Sequence, residues 1–350
     1  MKAAVVHGPN VIRVEELPDP TIGDYEALVQ ITACGVCTGT DLHILQGSFP
    51  RSPAYPFVLG HESIGRVLAV GPKVRYLKPG DQVLRPLAIR RGERVAGVGM
   101  AFGGFAEKGI VVDARAMVES TPRTETPRLP AFAVAQQVVP PDFDPVDAGM
   151  FITFKETLSW MHDLGPVLGR CVVVLGTGPV GLCFVRIAKY LGADPVVAVG
   201  RRDERLELAR QMGADGVVNT ARQEINAGVR ELTGGRGADY VVEAVGSDEL
   251  LREGLRALAD GGQLAIYGIS PGAATSFDHA GLPSNWQVRL IRPREELVHD
   301  LALDLIRLGF VDLRAFVKHV LPLSRVEEAL RLVVERQTLK PVVTMGGARR

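Results

Sequence analysis

The hydrophobic pattern divides the chain in two. Up to about residue 118, short runs rich in β-branched residues alternate with glycine and proline. Ala27 to Ile31, Ser63 to Val70, Gln82 to Arg85 and Phe105 to Val112 read as strands, and so does the N-terminal Met1 to Val6. Gly71-Pro72 and Lys78-Pro79-Gly80-Asp81 mark turns between them, so the segment is all-β and barrel-like. From about 150 to 297 the pattern becomes an alternation of strands and helices. Cys171 to Leu175 is a continuous apolar strand followed by a helix through Leu191. Val196 to Val199, Asp239 to Ala244 and Gln263 to Tyr267 are further strands, with a helix over Glu204 to Met212. Such alternation predicts an α/β domain with a parallel sheet and helices on both faces. The tail from about 298 returns to helices and a closing strand near Pro341 to Thr344. Between the two patterns, residues 119–145 are proline-rich around an apolar patch, Phe132 to Val134. That segment reads as a surface loop, with a lid or a subunit contact as the alternative.

At 350 residues the chain exceeds one typical core, so two domains are expected. Lys+Arg and Asp+Glu both number 40, which argues against an electrostatic nucleic-acid footprint. No uninterrupted apolar run is long enough to span a membrane. The start of the chain lacks the apolar stretch and cleavage site of a signal peptide. Four cysteines in so long a chain do not make a disulfide scaffold, so a cytoplasmic location is expected.

Gly176-Thr177-Gly178-Pro179-Val180-Gly181 follows the buried strand and opens the helix. Glycines there allow a tight turn and let backbone approach a pyrophosphate, and the helix N-terminus offers free N–H groups. Gly268 and Ile269, just past a later strand, are assigned to the same cofactor. At the end of the second strand an acid usually bonds the ribose 2′-hydroxyl of NAD. Gly200-Arg201-Arg202-Asp203 has glycine there, which leaves room for a 2′-phosphate, and guanidinium groups pair well with phosphate. NADP(H) is therefore expected over NAD(H), unless the strand runs on and Asp203 takes the acid's role.

Chemistry concentrates in Cys37-Thr38-Gly39-Thr40-Asp41-Leu42-His43 and in Gly60-His61-Glu62. Cys37, His61 and Glu62 offer the thiolate, imidazole and carboxylate that a catalytic zinc takes, with a fourth place open. Thr40 would accept a proton from a substrate hydroxyl and His43 would pass it on. No cysteine lies between Cys37 and Cys171, so a four-cysteine structural zinc lobe is excluded. Metal site and dinucleotide site together imply hydride transfer at an alcohol carbon.

These residues resemble the medium-chain dehydrogenase/reductases, in particular the zinc alcohol and polyol (sorbitol- and glucose-like) dehydrogenases. Ala33-Cys34-Gly35-Val36-Cys37 with Thr40-Asp41-Leu42-His43 resembles the family's catalytic zinc motif, and Leu59 to Gly65 the second. Val70-Gly71, Pro79 to Val83 and Gly103 to Glu107 match barrel signatures. The resemblance implies a GroES-like catalytic β-barrel from 1–150 with 298–350, and a doubly wound Rossmann domain over 151–297. It implies a homodimer or homotetramer acting on a small alcohol, polyol, sugar or carbonyl compound. One extra residue stands between Cys37 and Thr40-Asp41, so Thr38 competes for the hydroxyl role. The family's later metal ligand falls near Ile152 or Thr153, or on Glu156 if a helical turn is missing after it. A zinc-free NADPH-dependent quinone or enoyl reductase, and a non-catalytic NADPH-binding sensor, are the alternative readings.

Overall fold

The computed structural model describes residues 1–49, 52–130, 132–268, 276 and 280–346. The chain forms two compact units, Met1–Ile152 with Asp312–Arg350, and Thr153–Val311.

In the first unit one sheet runs in the order Val11–Glu16, Lys2–Gly8, Phe57–Val58, Gly99–Met100. A second sheet centres on the long strand Glu26–Gly35, flanked by Glu62–Val70, Lys108–Val112 and Val342–Thr344. Ala27, Val29, Ile31 and Ala33 alternate inward along that strand, the period of two that one covered face demands. Ala27 and Val29 close on Val67, Val83 and Val111 in a small core. Phe57, Leu59, Phe105 and Val343 belong to a larger one. The all-β expectation omits two helices. Thr40–Leu45 is one, and Ala114–Ser120, capped by the Asp113 side chain on Ala116 N–H, is the other. The strand expected from Phe105 starts only at Lys108.

Residues 119–145 are more than a surface loop. Val138–Val139 adds to the sheet beside Gln82 and Val83. Two buried glutamines secure the flanking backbone. Gln136 accepts from Val112 N–H and donates to the Arg85 carbonyl, at 2.8 and 2.9 Å. Gln82 donates to the carbonyls of Pro140, Pro141 and Phe143.

The second unit holds a six-stranded parallel sheet. In space the strands run Gly216–Asn219, Val196–Gly200, Val172–Leu175, Ala238–Glu243, Leu258–Ile266, Gln287–Leu290. In chain order this is 3-2-1-4-5-6, the doubly wound arrangement whose order reverses beside the first strand. Val172–Leu175 is buried throughout, which is why it reads as a continuous apolar run. The unit also keeps helix His299–Arg307, which the sequence reading placed with the barrel. Ala302 and Leu305 of that helix are buried. The Phe310 ring lies 4.8 Å from Tyr190 and 6.0 Å from Phe154, and its carbonyl accepts from Arg186. These contacts move the boundary from 298 to 312. Among the described residues no helix is long and apolar enough to cross a membrane.

Candidate active site

Strand register assembles the polar centre of the first unit. Gly35 pairs with Glu62 on one side and with Val342 on the other. Cys37 follows that strand, His61 precedes Glu62, and Lys340 precedes Val342, so all four reach one end of the sheet. Gly35 is needed for this approach: a Cβ there would lie 2.7 Å from Glu62 Oε2 and 2.8 Å from Gly149 Cα. One sulfur, one imidazole nitrogen and one carboxylate oxygen, from Cys37, His61 and Glu62, lie within 4.8 Å of one another. His61 and Glu62 are buried and Cys37 is half-buried.

Asp41, in the first turn of helix Thr40–Leu45, is fully buried and orients two of the three. Its Oδ2 accepts from Cys37 N–H at 2.9 Å, and its Oδ1 lies 3.0 Å from His61 Nδ1. Asp41 thus engages Nδ1, which leaves Nε2 as the ring nitrogen that a metal would take. Burial alone would lower the His61 pKa, but the Asp41 carboxylate and the Cys37 sulfur hold it well above the usual histidine value. Lys340 Nζ donates to both oxygens of Glu62. Burial opposes its charge too, and Glu62 outweighs burial to raise its pKa. Burial, with Asp41 and Glu62 nearby, pushes the Cys34 thiol well up, so Cys34 is held as a neutral core residue. Asp41 stands inside the motif without an assigned role, and Lys340 carries no sequence signal at all.

Thr40 and His43 lie three apart on the same short helix, hence on neighbouring positions of one face. Gly39 precedes that helix, so the extra residue is absorbed before it and Thr38 is left exposed. His43 Nδ1 lies 3.0 Å from Ser48 Oγ. Glu156 is not among the three clustered donors. It sits on helix Ala148–Leu164, in the second unit, and its Oε2 accepts from the Tyr267 hydroxyl at 3.2 Å.

In the second unit the fingerprint glycines do different work. Gly176 has φ +112°, which favours glycine. A Cβ on Gly181 would come 1.9 Å from the Gly176 carbonyl oxygen, so this glycine is required for helix and strand to meet. A Cβ on Gly178 would meet nothing within 4 Å. Gly178 is the N-cap of helix Pro179–Tyr190, whose first-turn N–H groups, from Val180 onward, receive no side-chain cap from it. The residues thus fit an approaching pyrophosphate. Gly200 ends the second strand, where a Cβ would lie 2.7 Å from Thr177 Oγ1. Arg201 and Arg202 follow, both exposed, and Arg202 approaches Glu204 at 3.7 Å. Asp203 lies in the next helix, paired with Arg222 and accepting from Asn219 Nδ2 at 2.8 Å. Gly268 donates its N–H to the Glu243 carbonyl, and a Cβ there would lie 2.0 Å from Gly246 N. Ile269 lies outside the described residues.

Known proteins carry both halves. The zinc-binding dehydrogenase family model matches residues 179–291, and the alcohol dehydrogenase GroES-like domain model matches residues 23–122. An alcohol dehydrogenase of Cupriavidus necator is 30% identical, with 96% of each chain covered. This chain belongs to the zinc-binding alcohol dehydrogenase family. A sorbitol dehydrogenase of Bacillus subtilis is 30% identical over 77% of this chain and 75% of its own. The solved structure of an alcohol dehydrogenase from Thermus sp. ATN1 superposes with a TM-score of 0.79 at 28% identity, covering 99% and 100% of the two chains. The fold is accordingly a GroES-like domain with a Rossmann-type parallel sheet, and the protein is an oxidoreductase acting on CH–OH groups.

Proposed function

We propose that this member of the family is a zinc-dependent dehydrogenase that moves a hydride between an alcohol, polyol or sugar carbon and NADP(H). The observation that carries the zinc assignment is the Cys37, His61 and Glu62 cluster, with Asp41 bonded behind His61. Thiolate, imidazole and carboxylate are the catalytic zinc donor set, and a carboxylate behind the imidazole is its usual support. Bound there, zinc supplies Lewis-acid polarisation of the substrate oxygen, and the nicotinamide supplies the hydride acceptor. The chain's own residues do the rest. Thr40 takes the hydroxyl proton and His43, next to Ser48, passes it toward water. Gly178 and the start of its helix receive the pyrophosphate. Gly200 leaves room beside the ribose, and Arg201 with Arg202 binds the 2′-phosphate. The engagement of Asp203 by Arg222 and Asn219 supports NADP(H) over NAD(H).

Metal content of the purified protein by plasma mass spectrometry tests the reading. About one zinc per chain is expected, with NADP⁺-dependent oxidation of alcohols. A protein that holds no zinc after reconstitution would overturn it and direct the search to quinones and enones with NADPH.

A further inference from the structure

Three rings pack in succession beside the donor cluster, those of His61, Phe102 and Phe132. The Phe102 ring centroid lies 5.1 Å from that of His61, tilted by 46°, and Phe132 lies 5.1 Å from Phe102, tilted by 58°. All three residues belong to the first unit. Both phenylalanines are only partly buried. Each also has a left-handed backbone, φ 72° for Phe102 and 68° for Phe132. That conformation suits glycine or asparagine, and a bulky residue there is strained. Strain of this kind persists where the side chain has a use, and it clusters at ligand sites. Two strained, partly buried aromatic residues in succession from a metal-donor imidazole point to a wall for something apolar. Phe132 also opens the apolar patch of the proline-rich segment, whose flanks Gln136 and Gln82 secure.

The two buried carboxylates of the centre are already committed and are not left to receive substrate hydroxyls. Asp41 is engaged by His61 and Cys37, and Glu62 by Lys340. A polyol or sugar needs a partner for each hydroxyl it buries, because an unpaired one costs more than the contact returns. We infer that the substrate of this enzyme is an apolar, preferably aromatic, alcohol or the matching carbonyl compound, held against Phe102 and Phe132. The inference rests on the dehydrogenase reading above and narrows its substrate class.

The experiment uses the zinc-loaded full chain with NADP⁺ and NAD⁺, and compares straight-chain alcohols from ethanol to hexanol, benzyl alcohol and sorbitol. Against an apolar wall, kcat/KM rises by about fourfold for each methylene buried, and benzyl alcohol exceeds sorbitol by at least about 100-fold. F102G and F132G remove the rings while easing the backbone, and their melting temperatures separate a loss of contact from a folding failure, since Phe102 also packs on the core. In each, the loss of kcat/KM with benzyl alcohol exceeds the loss with ethanol by at least about tenfold. Saturation-transfer NMR reads the contact without turnover: benzyl alcohol is labelled by the wild-type protein and much less by F102G. Sorbitol matching benzyl alcohol, equal losses with ethanol and benzyl alcohol, or undiminished saturation transfer in F102G would each overturn the apolar-wall assignment alone. A zinc-loaded protein that oxidises nothing in the series overturns this inference, whereas the dehydrogenase reading falls separately, on a protein that holds no zinc after reconstitution.

Discussion

Lys340 Nζ sits 2.7 and 2.6 Å from the two carboxylate oxygens of Glu62, across 278 residues of sequence. Both groups are almost wholly out of water, with side-chain exposures of 2%. Removing one partner of such a pair takes the buried countercharge from the other, at about 3–5 kcal/mol. Lys340→Met should therefore lower the melting temperature sharply in metal-free protein. A zinc ion beside Glu62 supplies replacement charge, so added zinc should restore more stability to the variant than to the wild type. Melts with and without zinc check this; an unchanged metal-free melt would show that the pair contributes no stability.

Asp41→Asn tests the support behind the imidazole. The amide keeps the shape but loses the charge, and it can present a donor to His61 Nδ1. Affinity for zinc should fall by about 10–100-fold. Competition with a chromogenic chelator measures it, and equal affinities in variant and wild type would remove Asp41 from the metal site.

Cofactor choice has a steric component at Gly200. Any Cβ there meets Thr177 Oγ1 at 2.7 Å, and threonine is stiff at χ1. Gly200→Asp alone should weaken both dinucleotides. Paired with Thr177→Ala it should bind NAD⁺ better and NADP⁺ worse, as a carboxylate meets the 2′-hydroxyl or repels the 2′-phosphate. Fluorescence titration with both cofactors decides. Arg201→Ala should raise the KM for NADP⁺ and spare NAD⁺; an equal loss with both would refute the 2′-phosphate role.

Gly181→Ala should fail more generally. Its Cβ would overlap the Gly176 carbonyl oxygen at 1.9 Å, which is backbone and cannot swing aside. Cofactor affinity should fall at least about tenfold, together with a loss of stability of about 1–3 kcal/mol. Gly178→Ala, where nothing lies within 4 Å, should leave stability almost unchanged and impair dinucleotide binding alone. The contrast between the two variants, in melts and titrations, separates packing from binding.

Acid stability should depend on Glu26. Burial would raise its pKa, but Arg90, with Nε 2.8 Å from Oε1, and the Gly23 N–H hold it below the usual carboxylate value. A lowered folded-state pKa stabilises above the ordinary value near 4.5 and is lost as pH falls through the folded value. Arg90→Gln should cost about 1 kcal/mol at pH 7 and progressively less below pH 4.5. Urea midpoints at both pH values test the sign, which would be wrong if the gap widened in acid.

Local patterns were legible wherever a few consecutive residues decide the outcome. The apolar strand Cys171 to Leu175 running into Gly176 to Gly181 announces a strand, a tight turn and a helix, because each residue type there has few backbone alternatives. The alternation along Ala27 to Ile31 likewise marks a strand with one covered face. Other assignments depended on contacts. Helix His299–Arg307 reads from the sequence as part of the barrel tail, and it belongs instead to the second unit, where the Phe310 ring meets Tyr190 and Phe154. The proline-rich segment reads from the sequence as a surface loop, yet Val138–Val139 joins a sheet.

The sequence by itself determined the two-part organisation, the dinucleotide turn and the donor types of Cys37, His61 and Glu62, since these follow from periodicity and side-chain chemistry. Tertiary structure alone decided that Asp41 stands behind His61, that Lys340 neutralises Glu62, and that Phe102 packs between the His61 and Phe132 rings. Register is the reason: pairing Gly35 with both Glu62 and Val342 carries distant residues to one end of a sheet, and no local pattern records which strands will meet.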